Sequence, residues 1–260
     1  TSRCDPNLRY HTSTKSKQSL ELHNYISLAH NGAFLFIDAI DPVGTLNTDL
    51  YNTMGEIFGK SMLYEPYLGG KLCRDVAIYF SLGSKINLEA NGKPVTETVH
   101  GIPHLDAAIG AAKTFSINNI PYDVISKRNL NEINDCQVLV VPNVYLMTDE
   151  EAKSIRDFVK QGGSLYISGI ANNGIIMKEM LGIEHIGYTE EEFTYIEPVE
   201  DKNDIDFDII KPSPLTVNGR QSIVKAENED EVVANIVLPY TDPGDFTIFA
   251  SIHSNPPGRY

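Results

Sequence analysis

Residues 136–169, CQVLVVPNVYLMTDEEAKSIRDFVKQGGSLYISG, contain the clearest β-α-β pattern of the chain. Within this stretch, Val138–Val141 is a continuous apolar run rich in β-branched residues, which is typical of a strand covered on both faces. Leu165–Ile167 predicts a second strand that ends before Gly169. Two strands joined by a crossover of this length predict a parallel-sheet unit.

The crossover between these two strands has the signals of a helix. Thr148 and Glu151 have the spacing of a capping box, and the acidic residues that follow Thr148 favour the positive end of a helix dipole. Gly162-Gly163 is a typical helix stop. One apolar face recurs at helical spacing, consisting of Ala152, Ile155, Phe158 and Val159.

The segments around this unit extend the alternation. We expect strands at residues 76–80 and 122–125 and a short helix at 175–181. Pro103 opens a further helix, whose predicted inner face consists of Leu105, Ala108, Ile109 and Ala112. The order β-α-β-β-α-β-α predicts an α/β fold with a small flavodoxin-like parallel sheet.

The first 63 residues predict a smaller helix-strand-helix arrangement. We expect a helix over 13–30 with an apolar face of Leu22, Tyr25, Ile26 and Ala29. A buried strand is predicted at Ala33–Ile37, and a second helix over 48–60 carries Leu50, Met54, Ile57 and Phe58 on one side. Residues 64–73 contain YEPYLGG and predict a linker.

The pattern changes again from about Phe193. Acidic stretches between Glu197 and Asp208 alternate with short β-rich runs, and the chain stops at a Pro-Pro-Gly turn. The predicted strands of this part lie at 222–225, 232–239 and 246–252. We therefore expect a β-rich, truncated end over residues 193–260.

Composition excludes several classes of partner. A net charge of −14 argues against a nucleic-acid or anionic-membrane surface, and no apolar run approaches the roughly 20 residues of a membrane helix. Cys4, Cys73 and Cys136 are odd in number and far apart, so we expect free thiols in a reducing compartment, the cytoplasm. The sequence contains no dinucleotide or P-loop fingerprint, and we expect neither a metal nor a cofactor.

Two parts of the chain resemble known families. Asn31-Gly32 with its apolar run, Pro42-Val43-Gly44-Thr45 and Met54–Phe58 resemble the last repeat of the (β/α)8 barrel, or TIM barrel, of α-L-fucosidase-like glycoside hydrolases. Residues 74–192 resemble the glutamine-amidotransferase-like domain called the β-galactosidase trimerisation domain. This second resemblance is carried by Asp75–Phe80, Ile120–Ile125, Val138–Pro142, Thr148–Glu151 and Gly162–Leu165.

The resemblance implies a C-terminal portion of a glycoside hydrolase. Most of a barrel of roughly 250 residues, with its catalytic carboxylates, would precede Thr1. The division implied is 1–63 for the barrel tail, 64–73 for the linker, 74–192 for the amidotransferase-like domain and 193–260 for the β-rich end. It further implies a homo-oligomer, a trimer or a dimer, that completes the sugar site of the parent enzyme.

Asp38 and Asp41 are the candidate substrate-binding residues. They follow the predicted barrel strand, at the end where barrel enzymes place their active sites. The alternative for Asp41 is a capped turn in Asp41-Pro-Val-Gly44, and Asp38 has the alternative of binding loop amides. We expect no complete catalytic pair here, and hence no catalytic residue in this chain.

The amidotransferase resemblance makes a specific demand. A working enzyme of that class needs a Cys on the turn after the strand at 164–168, with a downstream His. This sequence has Gly169 at that turn, and Cys136 lies at the other end of its strand. We therefore expect the fold without the activity; Ser168 is the remaining conceivable nucleophile.

Three weaker signals and two alternative functions remain open. His100 and His104 are spaced by four residues, but Gly101 and Pro103 argue against one helix face presenting both. The loop Gly169–Gly174 is a weak candidate for an anion site. Besides the glycoside hydrolase part, the alternatives are a freestanding flavodoxin-like interaction or small-ligand-binding module, and a cryptic hydrolase that uses Asp38.

Overall fold

The computed structural model contains two compact units, Thr1–Cys73 and Arg74–Tyr260. It describes residues 2–10, 12–87, 90, 92–94, 101–170, 174–199, 215–239 and 241. The strand predicted at 246–252 and the final turn therefore lie outside the described residues, as do most of the acidic stretch at 197–208 and His100.

The first unit is built on two helices, α1 (Lys17–Ala29) and α2 (Thr48–Ser61). Each begins with a side-chain cap: Ser16 accepts a hydrogen bond from the Ser19 amide, and Asn47 accepts one from the Leu50 amide. The core between the helices consists of Leu20, Leu50, Met54 and Ile57, with Phe36 packed against it.

The predicted face of α1 is wrong. Leu20 and Asn24 are the buried residues of this helix, whereas Leu22 and Ile26 are exposed. Apolar residues occur around most of the circumference of α1, so their spacing does not define one inner face. The predicted face of α2 is confirmed for Leu50, Met54 and Ile57, although Phe58 is partly exposed.

Residues 33–37 form no strand, because no second strand pairs with them among the described residues. The Ile37 carbonyl accepts the Ser2 amide at 2.9 Å. Phe34 and Phe36 point towards the helices, with their ring centroids 4.9 Å apart, and Phe36 also meets the Phe58 ring at 5.0 Å. Leu35 and Ile37, on the opposite side, are 75% and 56% exposed. The predicted burial of this segment is therefore wrong for the described chain, which supplies no neighbouring strands.

The second unit contains the predicted parallel sheet. Its strands are β1 (Val76–Phe80), β2 (Tyr122–Ser126), β3 (Val138–Pro142) and β4 (Ser164–Ser168), hydrogen-bonded in the order β2-β1-β3-β4. All three pairings are parallel. This order is that of a flavodoxin-like sheet and confirms the predicted α/β fold.

Helices cover both faces of the sheet. On one face, α4 (Asp149–Lys160) packs Ala152, Ile155 and Phe158 against strand residues that include Tyr79 and Leu139. On the other face, α3 (Pro103–Ile117) packs against strand residues that include Ile78 and Val140, through Ala108, Ala111, Ala112 and Phe115. The prediction for α4 is confirmed; for α3, Ile109 is exposed rather than inward-facing.

The remainder of the described chain is β-rich after a short helix, α5 (Ile175–Leu181). One antiparallel pair joins β5 (Ile183–Tyr188) to β8 (Ser222–Ala226). A three-stranded antiparallel sheet joins β7 (Leu215–Asn218), β6 (Phe193–Pro198) and β9 (Ala234–Val237) in that order. The predicted β-rich character is confirmed, and β5, β6 and β7 are strands that the sequence analysis missed.

A buried carboxylate ties the centre of the sheet to the start of α4. Glu151 accepts hydrogen bonds from the Tyr79 hydroxyl, which is fully buried on β1, and from the Thr148 amide at 2.6 Å. Burial opposes ionisation of Glu151, but these donors outweigh it and hold the pKa of the carboxyl below its usual value. Burial and the bond to Glu151 raise the pKa of the Tyr79 hydroxyl.

We predict that Tyr79→Phe lowers the free energy of unfolding by about 1–3 kcal/mol, because Glu151 keeps its burial but loses a donor. Since the pKa of Glu151 is depressed in the folded state, its contribution is present above the unfolded pKa and is lost as the pH falls through the folded one. The variant should therefore begin to unfold at a higher pH during acid titration. Urea and acid unfolding followed by circular dichroism measure both effects.

The matched control is Tyr122→Phe on β2, whose hydroxyl lies 3.2 Å from Ser116 Oγ at the surface. That change should alter stability by less than about 0.5 kcal/mol. Equal effects of the two substitutions would show that the Tyr79 bond to Glu151 does not stabilise the sheet.

Candidate functional site

The carboxyl ends of β1, β3 and β4 meet at one edge of the parallel sheet, where α/β proteins place their ligand sites. The turn after β4, where the amidotransferase class needs its nucleophile, contains Gly169 with a φ of +64°. A Cβ at this position would overlap Oδ1 of Asn143, which follows β3. The space that a catalytic side chain would occupy is therefore filled by an asparagine.

Asn143 is itself held in place by neighbouring backbone. Its amide N–H donates to the Ser168 carbonyl at 2.9 Å, and its Nδ2 donates to the Pro103 carbonyl at 3.2 Å. These bonds join the ends of β3 and β4 to the start of α3. They give Asn143 a structural role that the sequence analysis missed.

His104 is fully buried at the same edge and is bonded through both ring nitrogens. Nδ1 lies 2.6 Å from the Pro142 carbonyl and Nε2 accepts the Ser81 amide at 3.0 Å, so the proton is placed on Nδ1. Burial lowers the pKa of His104, the hydrogen bond to Pro142 opposing that shift, and keeps the ring neutral. His104 thus joins β1, β3 and α3 and has no ring nitrogen left for a substrate.

Two serines complete the edge. The hydroxyls of Ser81 and Ser84 each lie 3.2 Å from the Leu146 carbonyl, and the Leu146 amide donates to Ser84 Oγ at 2.9 Å. Ser168, the alternative nucleophile, is half-buried, and no bond from its hydroxyl to a histidine or carboxylate is found among the described residues. The arrangement contains hydrogen bonds between loops rather than an activated nucleophile.

The remaining candidates of this unit are also accounted for. The Cys136 thiol is buried at the amino end of β3 and donates to the Ile133 carbonyl at 3.0 Å, and burial raises its pKa. The loop Gly169–Gly174, the weak candidate for an anion site, is described only in part, because residues 171–173 lie outside the described residues. Within the described ranges, no group of three or more His, Cys, Asp and Glu side chains is placed to hold a metal ion.

Asp38 lies in the first unit and is engaged by the start of the chain. Its Oδ1 accepts Arg3 Nε at 2.7 Å and Ser2 Oγ at 2.8 Å, and the side chain is 1% exposed. Burial opposes ionisation, but the bonds from Arg3 and Ser2 hold the pKa of Asp38 below its ordinary value. Oδ2 is also buried, and no partner for it is found in the described part of the chain.

Asp41 begins the capped turn Asp41–Gly44, which is the alternative given for it in the sequence analysis. Its carbonyl accepts the Gly44 amide at 2.8 Å, and its Oδ2 accepts the Thr45 hydroxyl at 3.3 Å. The side chain is 42% exposed and lies 3.9 Å from Arg3. Arg3 thus brings the two aspartates together, and their predicted contact with a sugar stays a prediction.

An open cavity of about 670 Å³ lies elsewhere in the first unit, between α1 and residues 64–73. Asn31 closes one side, because its side chain accepts the Gly69 amide at 3.2 Å and donates to the Gly70 carbonyl at 2.8 Å. The walls include three tyrosines and one lysine: Tyr25, Tyr64, Tyr67 and Lys71. The sequence analysis assigned these tyrosines only to a helix and a linker.

Residues 74–212 match the family described as the β-galactosidase trimerisation domain, and this match covers more than half of the chain. The chain belongs to the β-galactosidase trimerisation domain family. The matched residues include the whole parallel sheet and both helices that cover it. The resemblance stated for this part of the sequence is confirmed.

Relatives of known structure extend the likeness in fold. A β-galactosidase from Rahnella sp. R3 superposes with a TM-score of 0.64 at 18% identity, covering 86% of this chain and 36% of its own. α-L-Fucosidase isoenzyme 2 from Paenibacillus thiaminolyticus superposes with a TM-score of 0.59 at 18% identity, and the match covers 88% of this chain and 33% of the fucosidase. The second unit, residues 74–260, is too short to make up 86% or 88% of this chain. Both superpositions therefore include residues of the first unit.

A curated relative adds a match in sequence. β-Galactosidase BbgII of Bifidobacterium bifidum is 28% identical over 105 residues, which are 40% of this chain and 14% of that protein. The chain thus spans a minor part of each of these relatives. In the residues that the structure describes, no helix is long and apolar enough to cross a lipid bilayer.

We predict that Gly169→Ala lowers the free energy of unfolding by about 1–3 kcal/mol, because alanine disfavours a φ of +64° and its Cβ displaces Asn143. The control is Gly83→Ala at the same edge, where the added Cβ would meet its nearest atoms at 3.8 and 3.9 Å. Urea unfolding of both variants checks this, and a stable Gly169→Ala protein would show that the position can accept a side chain.

We predict that Asp38→Asn weakens the attachment of residues 2–4 to residues 37–39 by about 1.5–3 kcal/mol, because Arg3 loses its buried counter-charge. The Ser2 amide donates to the Ile37 carbonyl, and the Lys15 amide donates to the Ser2 carbonyl. Both amide hydrogens should then exchange faster with solvent. Hydrogen exchange with mass spectrometry measures this locally. Asp41→Asn is the control, and equal protection in both variants would contradict the assigned role of Asp38.

Proposed function

We propose that this chain is part of a glycoside hydrolase in which the second unit mediates self-association. In this proposal residues 1–63 form the last repeat of a catalytic barrel, 64–73 the linker, 74–192 the association domain and 193–260 a β-rich end. The observation that carries it is the family match, because its residues include the entire parallel sheet with its two covering helices.

The exposed segment of the first unit supports the barrel assignment. Leu35 and Ile37 present an apolar edge whose backbone groups have no strand partner in the described part of the chain. Unpaired apolar strand edges are unfavourable in water and are normally paired or covered. Neighbouring barrel strands would cover both sides of this segment.

The filled edge of the parallel sheet supports a non-catalytic role for the second unit. Gly169 offers no nucleophile, Asn143 occupies the space beside it, and His104 has both ring nitrogens engaged. A domain that keeps the fold but not the reactive groups acts through its surface. We infer that it completes the sugar site of an adjoining subunit.

Asp38 and Asp41 are proposed to contribute to that sugar site in the parent enzyme. Their position directly after the exposed segment 33–37 supports this, since barrel enzymes bind substrate at the carboxyl ends of their strands. Only Asp41 is accessible in the described arrangement, so it is the residue proposed to touch the carbohydrate.

The three free cysteines support a cytoplasmic location.

Self-association is tested by size-exclusion chromatography with light scattering over a wide concentration range. We expect a stable trimer or dimer, with about three times or twice the 28.8 kDa mass of one chain. We also expect no hydrolysis of nitrophenyl β-galactoside or α-L-fucoside. A monomer at every concentration would overturn the association role, and hydrolysis abolished by Asp38→Asn would favour the cryptic hydrolase.

A further inference from the structure

The open cavity of about 670 Å³ in the first unit has tyrosines in both of its walls. On one side, α1 contributes Tyr25 and Ala29, which lie four residues apart and therefore share a face of the helix. On the other side, a 3₁₀ helix over Met62–Tyr67 contributes Tyr64 and Tyr67. Residues three apart are eclipsed in a 3₁₀ helix, so both of these side chains lie on one side of it. The cavity volume lies within the range of roughly 300–1,000 Å³ that is typical of small-molecule sites.

Hydrogen bonds hold the second wall in place. The Asn31 side chain accepts the Gly69 amide at 3.2 Å and donates to the Gly70 carbonyl at 2.8 Å. Gly69 has a φ of +79°, which glycine adopts readily, and it lies in the turn that follows the 3₁₀ helix. The rings of Tyr25 and Tyr64, one from each wall, meet edge to face with centroids 5.7 Å apart. The cavity is thus formed before a ligand arrives, which lowers the entropic cost of binding.

The described lining residues combine aromatic rings with hydroxyl groups. The hydroxyls of Tyr25, Tyr64 and Tyr67 have no hydrogen-bond partner among the described residues. No Asp or Glu lines the cavity in that part of the chain, so a cationic ligand finds no counter-charge there. Lys71 is the only charged residue of the described lining, and against it the net charge of −14 repels an anionic ligand. These walls match a neutral ligand that has an apolar face and a rim of hydroxyl groups.

We propose that this cavity binds a neutral saccharide, at a place separate from Asp38 and Asp41, neither of which lines it. The choice of a saccharide rests on the glycoside hydrolase function proposed above. A pyranose packs its C–H face on a tyrosine ring, and its hydroxyls exchange hydrogen bonds with tyrosine hydroxyls. Tyr67 is 82% exposed and offers an accessible ring. Because the described lining contains no carboxylate, the cavity binds the sugar without cleaving it.

The first test measures the affinity of the full chain for lactose and for maltose by titration calorimetry. We expect a dissociation constant on the order of 1 mM for at least one of them. Tyr64→Ala and Tyr67→Ala should each raise that constant about tenfold, because each removes a ring and a hydroxyl. Tyr64→Phe and Tyr67→Phe keep the ring and should have a smaller effect in the same direction. The matched control is Tyr10→Ala, since Tyr10 is 48% exposed, close to the 52% of Tyr64, and does not line the cavity.

A second measurement locates the bound sugar through a thiol. Cys73 is exposed and lines the cavity, whereas Cys4 does not line it. At about four times its dissociation constant, the disaccharide should slow alkylation of Cys73 by iodoacetamide about fivefold, because only the unoccupied fraction reacts. Alkylation of Cys4 should keep its rate, and peptide mass spectrometry measures both. Circular dichroism checks that each variant is folded.

Protection of Cys73, with weaker binding in Tyr64→Ala and Tyr67→Ala but not in Tyr10→Ala, supports the proposal. Binding of neither disaccharide overturns it, and so does binding of the aromatic probe 4-nitrophenol alone. Binding that only Asp41→Asn removes also overturns it, because the sugar then lies at the aspartates, and the proposed function stands. A monomeric chain that binds lactose as described overturns the association role and supports the saccharide site.

Discussion

The second unit depends on a carboxylate that is buried and still ionised. Glu151 has two donors, the hydroxyl of Tyr79 from the central strand and the amide of Thr148 at the start of α4. Without them, burial would favour the neutral acid and leave oxygen atoms unpaired inside the core. The bond therefore joins the start of α4 to the central strand β1.

This interaction shows what a sequence pattern can and cannot predict. The capping box of Thr148 and Glu151 is local, so its spacing predicted the start of α4 correctly. The bond from Tyr79 joins residues 72 positions apart and gives no periodic signal. For the same reason the strands β1 to β4 were predictable from their own apolar runs, whereas the roles of Asn143 and His104 depend on loops that meet only in the folded chain.

In the first unit, the predicted burial of residues 33–37 is wrong for a different reason. The sequence predicts a buried strand at residues 33–37, but both strand pairing and burial depend on what surrounds a segment. Phe36 packs against the helices, while the side chains of Leu35 and Ile37 are 75% and 56% exposed. Asp38 accepts hydrogen bonds from Arg3 and Ser2 at the start of the chain, which the sequence analysis did not predict, and its contact with a substrate stays a prediction. The residues around Asp38 in the sequence give no signal that Arg3 and Ser2 bind it.

The parallel sheet also explains why one edge can change its role without a change of fold. Strands and helices fix where the loops after β1, β3 and β4 emerge, whatever side chains those loops carry. Catalysis of the amidotransferase type needs a nucleophile on the turn after β4, and at that turn a Cβ on Gly169 would overlap Asn143 Oδ1. Once His104 and the two serines satisfy the buried backbone groups, the same loops no longer need water or a ligand.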